Sequence, residues 1–134
     1  MEGNCIFCQI VSGAIPSRRI YEDDQVLAFL DIRPVSAGHT LVIPKEHYRN
    51  LEEIDPASLA RLIQAVQAVG RIIKDKLGVA GYNVTENNDP VAGQEVPHLH
   101  FHVIPRQPGD NLGPWPHREY APGEAEEILR KLTS

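Results

Sequence analysis

Aromatic residues are scarce in this sequence, at 6%, and it holds only two cysteines, one methionine and no long uninterrupted apolar run. Two cysteines make no disulfide framework, and Cys5 and Cys8 lie too close in the chain to staple a fold. A pair at that spacing points instead to metal or redox chemistry. The lack of a long apolar run excludes a membrane-spanning helix, which needs about 20 consecutive apolar residues. The N-terminus shows no basic stretch leading into an apolar core and a small-residue cleavage site, so a cytoplasmic protein is expected. Cationic residues are outnumbered too: 13 Lys and Arg face 18 Asp and Glu, a formal net charge of -5. That balance argues against nucleic acid as the main partner, since polyanion binding relies on a basic surface. A small anion remains admissible, held by backbone N–H groups and imidazoles in a pocket.

What is present is an ordinary globular composition, 42% hydrophobic and 23% charged over 134 residues, the size of one domain with one core. We expect a single domain over residues 1–134, with its core at about 5–106 and a C-terminal tail at 107–134 that is Pro-rich from Pro108 to Pro122. Ile6, Phe7 and Ile10 recur at helical spacing before Ser12-Gly13 and Pro16, which predicts a short helix over 4–11. Residues 19–21 and 26–30 flank the acidic turn Glu22-Asp23-Asp24-Gln25 and read as a hairpin. Thr40-Leu41-Val42-Ile43 reads as a buried strand that stops at Pro44, with His39 at its edge.

Asp55-Pro56 is a helix start, because Asp caps exposed N–H groups and Pro at the first helical position has no N–H to lose. Leu59, Leu62, Ile63, Val66, Val69, Ile73 and Leu77 then form one apolar stripe, and Gly78 stands where a left-handed cap is wanted. A strand over 82–85, a turn-rich loop through Gly93, a strand carrying the histidines and a short helix over 123–132 complete the chain. The elements describe an α+β fold: an antiparallel sheet of about five strands with one long helix and short terminal helices.

The chemistry concentrates in His98-Leu99-His100-Phe101-His102. On a strand, alternate side chains share a face, so the three imidazoles stand in a row while Leu99, Phe101 and Val103 face the core. Three histidines so close cannot all be charged cheaply; neutral rings linked by hydrogen bonds hold fixed tautomers, leaving a lone pair aimed outward. Such a nitrogen is a competent nucleophile toward phosphorus, and the middle histidine, His100, is best placed. A surface patch and a metal site are the competing readings. The preceding loop Ala92-Gly93-Gln94-Glu95-Val96 can offer backbone N–H groups to a phosphate, which favours catalysis.

The run His98-Leu99-His100-Phe101-His102-Val103-Ile104 resembles the HIT (histidine triad) signature. Gly38-His39-Thr40-Leu41-Val42-Ile43-Pro44-Lys45-Glu46-His47 and Cys5-Ile6-Phe7-Cys8 resemble further stretches of its Hint-like branch, so the similarity covers about Cys5 to Arg106. The resemblance implies a HIT-like fold, a two-fold homodimer and hydrolysis of purine nucleotide conjugates of the adenosine phosphoramidate type at the α-phosphorus. It implies that His100 forms a covalent nucleotidyl intermediate, that His102 contacts the phosphate and assists proton transfer, and that His39 orients the nucleophile. Asp31 would grip the ribose hydroxyls, Ile6, Phe7, Ile10, Phe29 and Ile32 would wall the base, and Asn87, Gly93, Gln94, Glu95 and Val96 would lie by the phosphate. No organic cofactor is implied. Dinucleoside polyphosphate hydrolysis and a nucleotide-binding regulatory module with little turnover are the alternatives.

Two positions depart from the pattern. Glu95 follows Gly-Gln where Ser or Thr is usual, which removes a hydroxyl from the leaving-group amine, and Pro97 stands where an aromatic is common. A carboxylate at 95 leans the expectation toward phosphoramidates over polyphosphates. The cysteine pair is the right distance apart for two thiolates on one zinc, with His47 and His98 as candidates to complete the tetrahedron. The resemblance implies the same four ligands and a structural zinc; a reduced buried pair or a redox dithiol is the other reading.

Overall fold

The computed structural model describes residues 4–134. Strand β1 (Arg19–Glu22) and strand β2 (Val26–Leu30) form the expected hairpin. Asp23 Oδ1 closes its turn by accepting from the N–H groups of Gln25 and Val26, each at 2.8 Å. With β3 (Thr40–Pro44), β4 (Gly81–Glu86) and β5 (Phe101–Arg106) they make a five-stranded sheet in the order β1-β2-β3-β5-β4, antiparallel at every pairing. A short helix α1 (Ile6–Ser12), the long helix α2 (Pro56–Leu77) and a terminal helix α3 (Glu124–Thr133) complete the α+β fold.

The sheet separates two apolar clusters, and the period of 2 along each strand sorts residues between them. Val26, Ala28, Val42, Leu99, Phe101 and Val103 pack against Leu62, Ala65, Val66, Val69 and Ile73 of α2. Leu27, Phe29, Leu41 and Ile43 point the other way and meet Cys5, Phe7, Cys8 and Ile10. Central strands buried on both faces are why β2 and β3 read as continuous apolar runs.

Helix α2 starts as expected, with the Asp55 carboxylate accepting the Ser58 N–H at 2.9 Å, and ends at Gly78 with φ of 63°. Its buried stripe is narrower than predicted: Ile63 and Leu77 are 45% and 52% exposed. Ile63 sits about 100° around the helix from the fully buried Leu62, which takes it off the sheet-facing side. Leu77 lies over Gly38, whose backbone is left-handed (φ 94°); a Cβ there would stand 2.5 Å from Leu77 Cδ1.

The histidine run also differs from expectation. Strand β5 begins at Phe101, so His98 and His100 lie in the irregular segment leading into it. The Leu99 N–H goes to the Tyr48 carbonyl at 2.7 Å and the His98 N–H to the Val96 carbonyl at 2.8 Å, which takes both donors away from the sheet ladder. The alternation survives nonetheless: Leu99 is buried on the α2 side, and His98 and His100 are buried on the α1 side, each against the Phe7 ring.

Candidate active site and metal site

Helix α1 brings the site together. Cys5 caps it, its sulfur accepting the Cys8 N–H at 3.4 Å, and the left-handed Gly13 ends it. This short turn holds Phe7 edge-on to three rings at once: His100 at 5.1 Å between centroids, Phe29 at 5.6 Å and His98 at 5.8 Å.

Backbone partners assign the tautomers of the triad. His100 Nδ1 lies 2.7 Å from the carbonyl of His98, and a carbonyl only accepts, so Nδ1 carries the proton and Nε2 keeps a free lone pair. In His98 the roles are reversed: Nε2 donates to the Pro44 carbonyl at 2.8 Å, and Nδ1 is the bare nitrogen. His39 Nδ1 accepts the Val35 N–H at 3.0 Å, so its Nε2 bears the proton and donates to His102 Nδ1 at 2.9 Å. His102 is left with its own proton on Nε2. The arrangement therefore offers a nucleophilic nitrogen on His100 and an N–H donor on His102, with ring centroids 5.0 Å apart.

These rings are neutral because they are buried. Desolvation pushes His39 and His100 below the ordinary histidine value and His102 down to about 4, where the neighbouring His100 and His39 add to the effect. The sign of the stability consequence follows. Between pH 6.5 and about 4 the unfolded chain takes up a proton at His102 that the folded chain refuses, so stability is full above that window and falls with acid through it. Partial solvent contact at His102 screens the effect, so denaturant titrations from pH 7 to pH 4 should lose about 1–2 kcal/mol through this group. A flat profile would contradict a neutral, buried His102.

Above the triad, on the α1 side, lies a cavity of about 340 Å³. His100 and His102 form one part of its wall, with Glu95 and Val96 beside them. Ile6, Phe7, Ile10, Phe29, Asp31 and Ile32, all singled out in the sequence, also line it. Asn87, Gly93 and Gln94 do not line it. Gln94 is committed elsewhere, its Oε1 accepting the Asp89 N–H at 2.7 Å and its Nε2 donating to the Arg49 carbonyl at 2.6 Å, which shapes the loop that carries Glu95. Residues 15–18, Leu30, Arg33 and Leu41 complete the wall and escaped the sequence reading. Asp31 stands 3.6 Å from His39 Nε2, and its carboxylate also holds the Arg33 N–H at 2.9 Å. Arg33 in turn reaches Glu95 at 3.8 Å, joining two exposed side chains at the cavity rim.

Cys5, Cys8, His47 and His98 form a second cluster that can hold a metal ion, their ligand atoms within 4.8 Å of one another. His98 Nδ1 lies 3.4 Å from Cys5 Sγ and 3.6 Å from Cys8 Sγ, and His47 Nδ1 lies 3.4 Å from Cys8 Sγ. Tetrahedral zinc with its usual bond lengths sets sulfur and nitrogen about 3.5 Å apart, and these three distances match it. The Pro44 carbonyl holds the far nitrogen of His98, as outer partners of metal-bound imidazoles do. Asp31, His39 and His102 also lie within ligating distance of one another. There the Val35 N–H occupies His39 Nδ1 and keeps the proton on Nε2, the nitrogen that would have to ligate, so that group is a hydrogen-bond chain.

The chain belongs to the HIT domain family, which it matches over residues 12–109. It is 41% identical over 134 residues to adenosine 5'-monophosphoramidase hnt1 of Schizosaccharomyces pombe, covering 98% of this chain and 97% of that protein. A crystal structure of a HIT family member from Bacillus subtilis superimposes with a TM-score of 0.88 at 42% identity, covering 96% and 94% of the two chains. A zinc-bound histidine triad family protein from Mycobacterium smegmatis does so with a TM-score of 0.78 at 41% identity, covering 96% and 91%. A Candida albicans relative, 39% identical over 108 residues and covering 78% of this chain and 71% of that protein, also bears the name adenosine 5'-monophosphoramidase, and no described helix is long and apolar enough to cross a membrane.

Proposed function

We propose that this protein hydrolyses purine nucleotide conjugates of the adenosine phosphoramidate type in two steps through His100. The observation that carries this reading is the 2.7 Å bond from His100 Nδ1 to the His98 carbonyl, which leaves Nε2 bare at the wall of a largely apolar cavity containing Asp31. In the first step the Nε2 pair bonds the α-phosphorus and the P–N bond to the amine breaks, the amine leaving with a proton from solvent. In the second step water bonds phosphorus, the P–Nε2 bond returns its electrons to the ring, and the proton from water is released. His102 Nε2–H donates to the phosphoryl oxygens as negative charge builds on them, His39 holds His102 in that tautomer, and Asp31 takes the ribose hydroxyls.

Zinc is the metal this reading places on Cys5, Cys8, His47 and His98, with a structural role, since four protein ligands leave no position for substrate. The chain acts as a homodimer, and β4, at the sheet edge with Tyr82 and Val84 exposed, is available to pair with a second copy. The support is the related monophosphoramidase and the zinc-bound neighbour together with the tautomers.

The test is turnover of an adenosine phosphoramidate and of a dinucleoside tetraphosphate, beside His100→Ala. Faster His100-dependent cleavage of the tetraphosphate would replace the phosphoramidate by the polyphosphate as substrate, and tight binding with no turnover of either would make the protein a nucleotide-binding module. Glu95 bears on the choice. Its exposed carboxylate at the rim opposes a second anionic nucleotide, so Glu95→Gln should raise kcat/KM for the tetraphosphate by about 3- to 10-fold at low salt and change the phosphoramidate rate less. Equal effects on both substrates would remove Glu95 from leaving-group selection.

A further inference from the structure

The nucleotide cavity crosses the sheet. His100 and His102 mark its β5 end, Leu41 lines it from β3, Phe29 from β2 and Asp31 from just beyond the end of β2, and Ser17 from the segment leading into β1. Neighbouring strands stand about 4.8 Å apart, so the span from β5 to β1 is about 14 Å, the reach of a nucleoside monophosphate and the side chains that meet it. With phosphorus at His100 and ribose at Asp31, the base must lie toward the β1 edge. There the pairing of β1 with β2, Arg19 opposite Phe29, continues through the Leu30 N–H to the Arg18 carbonyl at 3.0 Å, which sets Ser17 across from Asp31.

Ser17 has an unusual hydroxyl. Its Oγ is sealed from solvent and has no hydrogen-bond partner, although the residue lines the cavity among Ile15, Pro16 and Phe29. A buried hydroxyl without a partner destabilises the empty protein, and no hydrogen bond holds it in its present rotamer. Rotation about one torsion turns it toward the cavity, and as both donor and acceptor it can meet a ring nitrogen or an exocyclic group of a base.

We propose that Ser17 Oγ is a specificity-determining residue that hydrogen-bonds the edge of the nucleobase. This inference rests on the nucleotide-conjugate reading of the site. It adds a polar reader of the base to a wall whose sequence-predicted members are all apolar, and it predicts opposite effects of one substitution on the empty and the loaded protein. Removing an unsatisfied hydroxyl should leave Tm of the ligand-free protein equal or higher, whereas a hydroxyl with a structural partner would lower it.

The experiment measures Tm together with binding of AMP, purine riboside monophosphate and 7-deaza-AMP by calorimetry, for the wild type, Ser17→Ala and Ser17→Thr. The expected result is an unchanged or raised Tm for Ser17→Ala, a rise of about tenfold in its Kd for AMP, and restoration by Ser17→Thr. The analogue that lacks the bonded atom should bind wild type and Ser17→Ala alike. An unchanged Kd for AMP in Ser17→Ala, a loss confined to the difference between AMP and its 2'- or 3'-deoxy forms, or a lowered Tm would each overturn the assignment. Failure of the wild type to bind AMP at all would instead refute the nucleotide site on which it rests.

Discussion

His100→Ala should lower kcat for an adenosine phosphoramidate by at least about 10⁴-fold, close to 5.5 kcal/mol of transition-state stabilisation, with AMP affinity within a few-fold of wild type. The size follows from the site: His102 faces the cavity with a proton on Nε2 and has no lone pair to offer there, so no neighbour can replace the lost nucleophile. Because His100 is buried against Phe7, the variant is compared at a temperature where its thermal melt shows it folded. Acid-free quenching of wild type with a radiolabelled substrate should trap label on the protein, and none on the variant. A variant that keeps more than about a tenth of the wild-type rate would remove the covalent step from the mechanism. The acid limb of the wild-type rate profile should also fall below the pH at which an ordinary histidine titrates, since burial holds His100 neutral.

Cys5→Ala should cost stability far more than turnover. Losing one of four ligands that weakens a metal site a hundredfold removes about 2.7 kcal/mol of linkage stabilisation. In a chain of this length that is a fall in Tm on the order of 10 °C. A metal on these ligands would tie α1 to the segment that bears His98, and its loss would loosen Phe7 and that segment together. Metal content by atomic emission should drop below half an equivalent, while kcat at saturating substrate changes less than threefold. Unchanged zinc stoichiometry in Cys5→Ala would refute the ligand set, and treating wild type with a chelator should reproduce the variant's melting curve.

Much of the fold was legible because periodicity and capping speak through side-chain identity. The Asp55-Pro56 start, the Gly78 stop and the alternation through Leu99, Phe101 and Val103 all have the predicted form. The start of β5 was not legible, because it depends on where backbone N–H groups go: Leu99 bonds a carbonyl of the loop at Tyr48, and no residue type announces that. The same holds for the tautomers. Their partners are the Pro44 and His98 carbonyls and the Val35 N–H, main-chain groups that every sequence possesses. The resemblance set Gln94 near the phosphate, and its side-chain amide braces the loop by bonds to the Asp89 N–H and the Arg49 carbonyl. Residues 15–18 carry no period and lie between elements, and counting the hairpin register outward from its turn would set Ser17 opposite Ile32; the irregularity between Arg19 and Tyr21 moves it opposite Asp31, and no residue type announces that shift.

The division of the sheet into two faces has a consequence for how this protein can evolve. On the α2 side the buried contacts of the cluster are apolar packing, so replacements there are screened by volume, and several changes can be absorbed together if the total is conserved. On the α1 side the sheet and the segments beside it carry the candidate metal donors, His100 and the cavity wall, where a replacement is screened by which atom it places where. The two faces share a backbone but few selective constraints, so thermal robustness can drift on one side of the sheet while substrate choice is revised on the other.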